Sequence, residues 1–198
     1  VYKRQYQIGV RAESVQVDAN ALSREIETTD TNNIVFENDY IQVYPSAFFT
    51  YSPSEKNSYQ LSYSRRVDRP GIGQVNPIRE WSTPLVTSLG NPNLLPQFTN
   101  SFEVNYTRQI KGGSVTVGTF FRRVNDEIST ILYKDPNDAT DTKQIKSDGN
   151  FDGNNRYGFE MSTNYKIANW WRVNGSLDVY SQTLKGLVAN TQSEVTNT

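Results

Sequence analysis

Apolar residues fall on every second position along most of this chain, and the phase holds for about nine or ten residues at a time. In residues 58–66, Tyr59, Leu61 and Tyr63 alternate with Gln60, Ser62 and Ser64. In residues 99–109, Phe102, Val104 and Tyr106 alternate with Ser101, Glu103, Asn105 and Thr107. A period of two places alternate side chains on opposite faces of a β-strand. The same pattern recurs at 6–17, 41–52, 157–165 and 171–181, and from 114 with an extension toward Tyr133. It predicts about seven strands and no helix.

The connections alternate in length. Tight turns are expected at 53–57, 111–113 and 166–170, and long loops at roughly 18–39, 67–98 and 134–156. Every long excursion leaves from the same end of the sheet. The predicted fold is therefore all-β, an antiparallel up-and-down meander. Outer-membrane barrels combine short periplasmic turns with long extracellular loops in this way, and soluble sandwiches have no such obligation.

Strand length and aromatic placement bear on the choice. Membrane strands need about 9–11 residues, whereas globular strands usually have about five or six. Aromatics gather beside the tight turns: Phe49, Tyr51 and Tyr59 at the first, Tyr106 near the second, Tyr165, Trp170 and Trp171 at the third. Such rings form girdles at the headgroup level. They also favour strands in general, so a soluble all-β sheet stays open on pattern alone.

Composition removes several function classes. With 20 basic and 21 acidic residues among 198, net charge marks no nucleic-acid partner. Zero cysteines exclude disulfide scaffolds and thiolate metal sites, and zero histidines remove the commonest general base and metal ligand. No run approaches the roughly 20 apolar residues of a spanning helix. The mean hydropathy of −0.66 resembles that of a water-soluble chain, but in a barrel only alternate residues meet lipid. Neither a charged n-region nor an apolar h-region opens the chain, so an exported protein would contain this sequence as an internal fragment.

The block 62–106 reads SYSRRVDRPGIGQVNPIREWSTPLVTSLGNPNLLPQFTNSFEVNY. With its Arg69-Pro70 pair, Asn76-Pro77, the Gly90-Asn91-Pro92-Asn93-Leu94 turn and the Thr99–Glu103 stretch, it resembles the barrel of TonB-dependent outer-membrane receptors, in the outer membrane protein β-barrel family. Residues 156–180, with Tyr-Gly-Phe-Glu, Asn-Tyr-Lys and Trp-Trp, look similar to the same family, and 9–13 and 44–46 fit more loosely. The resemblance implies a Gram-negative outer-membrane transporter with a barrel of about 22 strands and a plugged lumen. Residues 1–198 would be a partial barrel segment from its C-terminal part, lacking the plug domain and the segment that engages TonB. Implied partners are outer-membrane lipid, the plug of the same chain, the TonB system through the missing N-terminal part, and a small-molecule, glycan or peptide substrate. No enzymatic activity and no cofactor is implied. A soluble, carbohydrate-binding all-β module is the alternative.

The expected lipid-facing residues are Tyr59, Leu61, Tyr63, Phe102, Val104, Tyr106, Phe159, Met161, Leu177 and Val179. Candidate ligand or plug contacts are Arg65, Arg66, Arg69, Glu80 and Trp81, because Arg presents a fixed fork of donors and Trp stacks on sugars. A solvated or lumen-facing salt-bridge network that positions the loop is the simpler reading of the charged members, and packing under its own loop the simpler reading of Trp81. Asp148, Asn150, Asp152 and Gly153 match the first half of a calcium loop, but Phe159 stands where the bidentate Glu belongs. A plain polar turn is the simpler reading. Glu103 and Glu160 carry acid–base potential, yet nothing in their spacing brings them together.

Overall fold

The alternating segments do become strands, and they pair in chain order. The computed structural model describes residues 2–24, 31–188 and 191–197. Along it run β1 (Lys3–Arg24), β2 (Thr31–Ser54), β3 (Asn57–Asp68), the short α1 (Ile72–Val75), β4 (Glu80–Thr83), β5 (Val86–Ser88), β6 (Gln97–Ile110), β7 (Gly113–Asn125), β8 (Glu127–Lys134), β9 (Gln144–Phe151), β10 (Gly153–Ala168), β11 (Trp171–Val188) and β12 (Thr191–Asn197). Eight of these form one antiparallel wall in the order β1-β2-β3-β6-β7-β10-β11-β12. The other four form a separate small sheet in the order β4-β5-β9-β8. All seven expected wall strands are present, and β12 adds another.

Three departures from the sequence reading have physical causes. The segment expected as a loop at 18–39 is largely strand, because β1 and β2 continue as a paired ribbon from Lys3↔Ser52 out to Arg24↔Thr31. Strand pairing is satisfied by any backbone, and the polar sequence there hid it. The strand expected to run from 114 toward Tyr133 breaks at Asp126, whose φ of 55° turns the chain out of the wall. β8 then belongs to the small sheet. The stretch at 148–151, expected as a turn or calcium loop, is strand β9, paired antiparallel with β8.

The tight turns sit where expected, at Glu55-Lys56, Lys111-Gly112 and Asn169-Trp170. Gly112 has φ 97°, a conformation that side chains other than glycine rarely adopt. The turns also touch their neighbours: the Gln109 amide donates to the Lys56 carbonyl at 2.7 Å, and the Lys166 amide to the Gly112 carbonyl at 2.8 Å. One rim of the wall is therefore short and stitched, and the other carries the excursions.

Register turns the alternation into continuous rows. One row runs Tyr6, Phe49, Leu61, Val104, Thr119, Phe159 and Val179 across successive strands. The next, toward the long-loop end, runs Ile8, Ala47, Tyr63, Phe102, Phe121 and Tyr157. Rings meet in tilted pairs along these rows and their neighbours, with Tyr6–Phe49 centroids 5.0 Å apart, Tyr59–Tyr106 4.9 Å and Tyr63–Phe102 4.7 Å. Such cross-strand aromatic pairs add to ladder stability.

Among the described residues no second layer covers this face. Tyr59, Leu61, Phe102 and Val104 remain 47%, 51%, 48% and 53% exposed. A two-layer soluble sandwich would have sealed them. An apolar face of this extent is stable only against hydrocarbon or a protein partner. In lipid, Leu61→Arg is expected to destabilise the folded protein by about 2–4 kcal/mol if it lies near the bilayer midplane. Gln60→Arg, one position along on the opposite face, should stay within about 0.5 kcal/mol of the unaltered protein. Denaturant unfolding in vesicles compares the two, and equal costs would contradict the face assignment.

Candidate functional site

The polar face of the wall carries charge in an ordered arrangement. Glu103 on β6, Arg122 on β7 and Glu160 on β10 share this face on adjacent strands. The Arg122 guanidinium lies 3.2 Å from Glu103 and 3.7 Å from Glu160. Ser101 donates its hydroxyl to Glu103 at 3.0 Å. The two carboxylates that spacing left apart are thus joined through one arginine. That arginine engages both carboxylates with its single positive charge. Asp178 on β11 is the direct cross-strand neighbour of Glu160, and it makes no ion pair among the described residues.

Rings accompany the arginines. Arg122 lies over Phe120 with its guanidinium carbon 4.4 Å from the ring centroid, Arg156 over Tyr180 at 5.2 Å, and Arg11 over Tyr44 at 5.0 Å. Arg156 also donates twice to the Gln182 side-chain oxygen, at 3.1 and 2.7 Å. Tyr44 and Phe120 are buried although they stand on the polar face. A guanidinium stacked on a ring keeps its edge donors free while its orientation is fixed. Sequence reading missed Arg122, Arg156 and their rings. The available signal was parity, since each shares its phase with the glutamates of the neighbouring strands.

The residues expected to form one basic cluster are dispersed. Arg65 and Arg66 are consecutive in β3 and so point to opposite faces. Arg65 lies against Phe98 at 5.0 Å on the apolar side, while Arg66 is exposed opposite Thr99 on the polar side. Arg69 leaves the wall altogether and ties the long loop to the β1–β2 ribbon. Its side chain donates to the Tyr40 hydroxyl at 3.0 Å and pairs with Glu13. These bonds hold its guanidinium protonated more firmly than usual. Glu80 is exposed in β4 opposite Ser88, and Trp81 follows opposite Thr87, its side chain lying outside the described residues.

Above the wall, the second and third excursions are welded into one cap. β5 pairs in parallel with β9, Val86 opposite Gln144. Asn91 donates its amide to the Asp148 carbonyl at 3.1 Å. The Asn150 side chain accepts from the Leu95 amide at 2.8 Å and donates to the carbonyls of Leu95 at 2.9 Å and Asp126 at 2.8 Å. Asp148 accepts from the Thr130 hydroxyl at 3.0 Å. The acid–amide run expected as a possible calcium loop therefore serves as a clasp, and among the described residues no cluster of acidic side chains assembles around a metal position. Gly90 is needed here because a Cβ would stand 2.3 Å from the Asn76 carbonyl oxygen. Among the described residues Leu94 and Ile145, one in each excursion, are the most buried hydrophobic side chains.

Charge holds the cap's far edge. Arg79 pairs with Asp135 at 2.9 Å across the two excursions, and this hydrogen bond, aided by the Asn137 amide, lowers the Asp135 pKa. Asp138 closes its turn by accepting from the Thr140, Thr142 and Lys143 amides and the Thr140 hydroxyl. The Thr140 hydroxyl is the largest cause of a pKa far below the ordinary carboxylate range. Because the folded value is depressed, this stabilisation is present at neutral pH and disappears only as pH falls through the folded pKa. Asp138→Asn should speed amide hydrogen exchange at residues 140–143 at pH 7, and the difference should shrink under strong acid. Separately, Asn150→Ala should open residues 126–152 to limited proteolysis without unfolding the wall, and unchanged cleavage would refute the clasp.

The profile of the outer membrane protein beta-barrel family matches residues 2–198. No curated protein matches the chain. Among solved structures, the siderophore receptor PirA from Pseudomonas aeruginosa superimposes with a TM-score of 0.59 at 15% identity, over 96% of this chain and 39% of that one. The Serratia marcescens hemophore receptor HasR, solved as a double mutant with its hemophore HasA and heme, gives 0.59 at 14%, over 98% and 39%. A mutant of the Pseudomonas aeruginosa ferric enterobactin receptor PfeA, in complex with enterobactin, gives 0.54 at 14%, over 84% and 30%. These identities establish likeness of fold. The chain spans well under half the length of each.

Proposed function

The chain belongs to the outer membrane protein β-barrel family and lies in the outer membrane, and from that premise we propose that it is one sector of the wall and extracellular cap of a TonB-dependent receptor. In this reading the apolar rows meet lipid and the charged face lines the lumen. A plug domain elsewhere in the same protein fills that lumen. The cap captures substrate outside the cell, and rearrangement of the plug, driven through TonB, lets it pass. No residue performs bond chemistry. The roles given to Arg66, Arg69, Glu80 and Trp81 are contacts with substrate or plug.

The observation that carries this reading is the Glu103–Arg122–Glu160–Asp178 group. It holds three carboxylates around one paired guanidinium, and Asp178 makes no ion pair among the described residues. A soluble sheet would leave such a face to water and gain nothing from stacking its arginines on rings. A plug gains a prearranged, directional surface with an acidic surplus, and a cationic or donor-rich plug edge fits it.

Absence of cysteine gives this chain a clean labelling background. In the full-length receptor, Asp178→Cys should react slowly with a membrane-impermeant maleimide, and deletion of the plug should speed the reaction at least tenfold. Equal rates with and without the plug would remove the lumen assignment.

A further inference from the structure

The rim formed by the tight turns is strongly basic, although the chain as a whole balances 20 basic against 21 acidic residues. Lys56 and Lys111 stand at two of the turn tips. Lys3, Lys166 and Arg172 lie on the polar face at that end of the wall, and Arg4 and Arg108 on the apolar face. All of these cations are exposed, and none makes an ion pair among the described residues. Across residues 3–6, 53–58, 107–115 and 164–173, Glu55 is the one carboxylate.

One pair of these charges works against the ladder. Lys166 on β10 and Arg172 on β11 are direct cross-strand partners, and like charges directly opposite each other are destabilising. The next row on that face, Ser114, Asn164 and Asn174, contains no carboxylate to relieve them. Higher on the same face Arg122 has two glutamates. An anion from outside would remove the repulsion. The faces indicate its source. Lipid headgroups reach Arg4 and Arg108, whereas the other cations stand at tips or on the polar face. Lys3, Lys56, Lys111 and Lys166 are compact charges on flexible stems, which suit carboxylates and lack the fork that matches phosphate. Successive tight turns, β2–β3, β6–β7 and β10–β11, follow one another along the wall. They are two strand spacings apart, about 10 Å, and an extended chain covers that distance in about three residues.

We propose that this rim docks an extended acidic segment of a second, periplasmic protein. Carboxylates at every third residue of that segment would meet Lys56, Lys111 and the Lys166–Arg172 pair in turn. Short turns face the periplasm in barrels of this kind, so the segment approaches from below the wall. A domain held inside the barrel meets the polar face, but the tips Lys56 and Lys111 are open to a separate protein. Complementary charge of this sort steers encounter and fixes register. The docking does not depend on the substrate, the plug or the segment that engages TonB. It asks only that the tight-turn end be the periplasmic one.

The test uses the full-length receptor in phosphatidylcholine nanodiscs and two synthetic peptides of one composition. The first carries Glu at every third residue among serines, and the second carries the same glutamates in one block. The spaced peptide should bind at least tenfold more tightly than the blocked one. Lys56→Ser with Lys111→Ser should weaken its binding at least tenfold. Lys143→Ser with Lys146→Ser, which removes the same charge from the cap, should leave binding unchanged. Lys166→Glu places opposite charges across from each other, so it should raise the thermal midpoint while weakening binding, a combination that a purely structural lysine would not give. If the double Ser variant at the turns does not fold, the two single variants are read instead, each with a partial loss. Equal binding by the unaltered and double Ser proteins would overturn the proposal, as would equal binding of the two peptides. Deleting the plug should leave the affinity unchanged, and a tenfold gain would make the plug the occupant and overturn the second protein. Anionic phospholipid that co-purifies with the unaltered receptor and is lost from the Lys56→Ser, Lys111→Ser variant would assign the rim to headgroups and overturn it as well.

Discussion

Hydrocarbon offers no hydrogen-bond partner to a peptide group, and that single constraint organises this chain. Each wall strand must pair along its whole membrane-crossing length. The wall strands accordingly follow one another in an unbroken antiparallel ladder, and irregular backbone is confined to the two rims. The usual protein core is missing from the wall as a consequence. The described residues bury few hydrophobic side chains: Leu94 and Ile145 belong to the cap, while Tyr44 and Phe120 sit beneath arginines on the polar face. Lipid replaces a second protein layer as the solvent for the remaining apolar surface.

The same ladder decides how the charged face works. Strands cannot slide or tilt without breaking register, because a slip of one residue would exchange lipid and lumen faces. Side chains on the wall therefore occupy fixed positions, and Arg11, Arg122 and Arg156 are further fixed by rings. An electrostatic surface prepared in this way can bind a plug or a solute without first reorganising itself. In the proposed receptor the moving part is then the plug, and the wall is the template against which it moves.

Sequence pattern revealed most of the wall and little of the site. Alternation identified the strands and assigned Tyr59, Leu61, Phe102 and Val104 to a common face, since burial preference repeats every two residues. It failed at β1 and β2 beyond residue 18, where the backbone pairing continues through a stretch with no sustained alternation. It also ran past Asp126, because one residue of positive φ redirects a strand without changing its composition. Proximity in sequence suggested that Arg65, Arg66 and Arg69 act together, whereas strand geometry sends the first two to opposite faces and the third to Glu13 and Tyr40. The group around Arg122 was invisible for the complementary reason. Its members are separated by many residues and meet only through register.

The cap illustrates the same limit and shows how the two ends of the molecule connect. β5 and β9 pair in parallel although the intervening chain includes two full wall strands, so no local signal could announce the contact. Once formed, it makes two excursions one body. That body is seated on the wall by Asn150 gripping the Asp126 carbonyl and by the Gln97 side chain accepting from the Ile128 amide at 2.9 Å. Asp126 immediately follows β7, the strand that carries Arg122 between Glu103 and Glu160. The cap and the strand that carries the charged group are therefore joined through hydrogen bonds, and the parallel pairing joins the two excursions to each other.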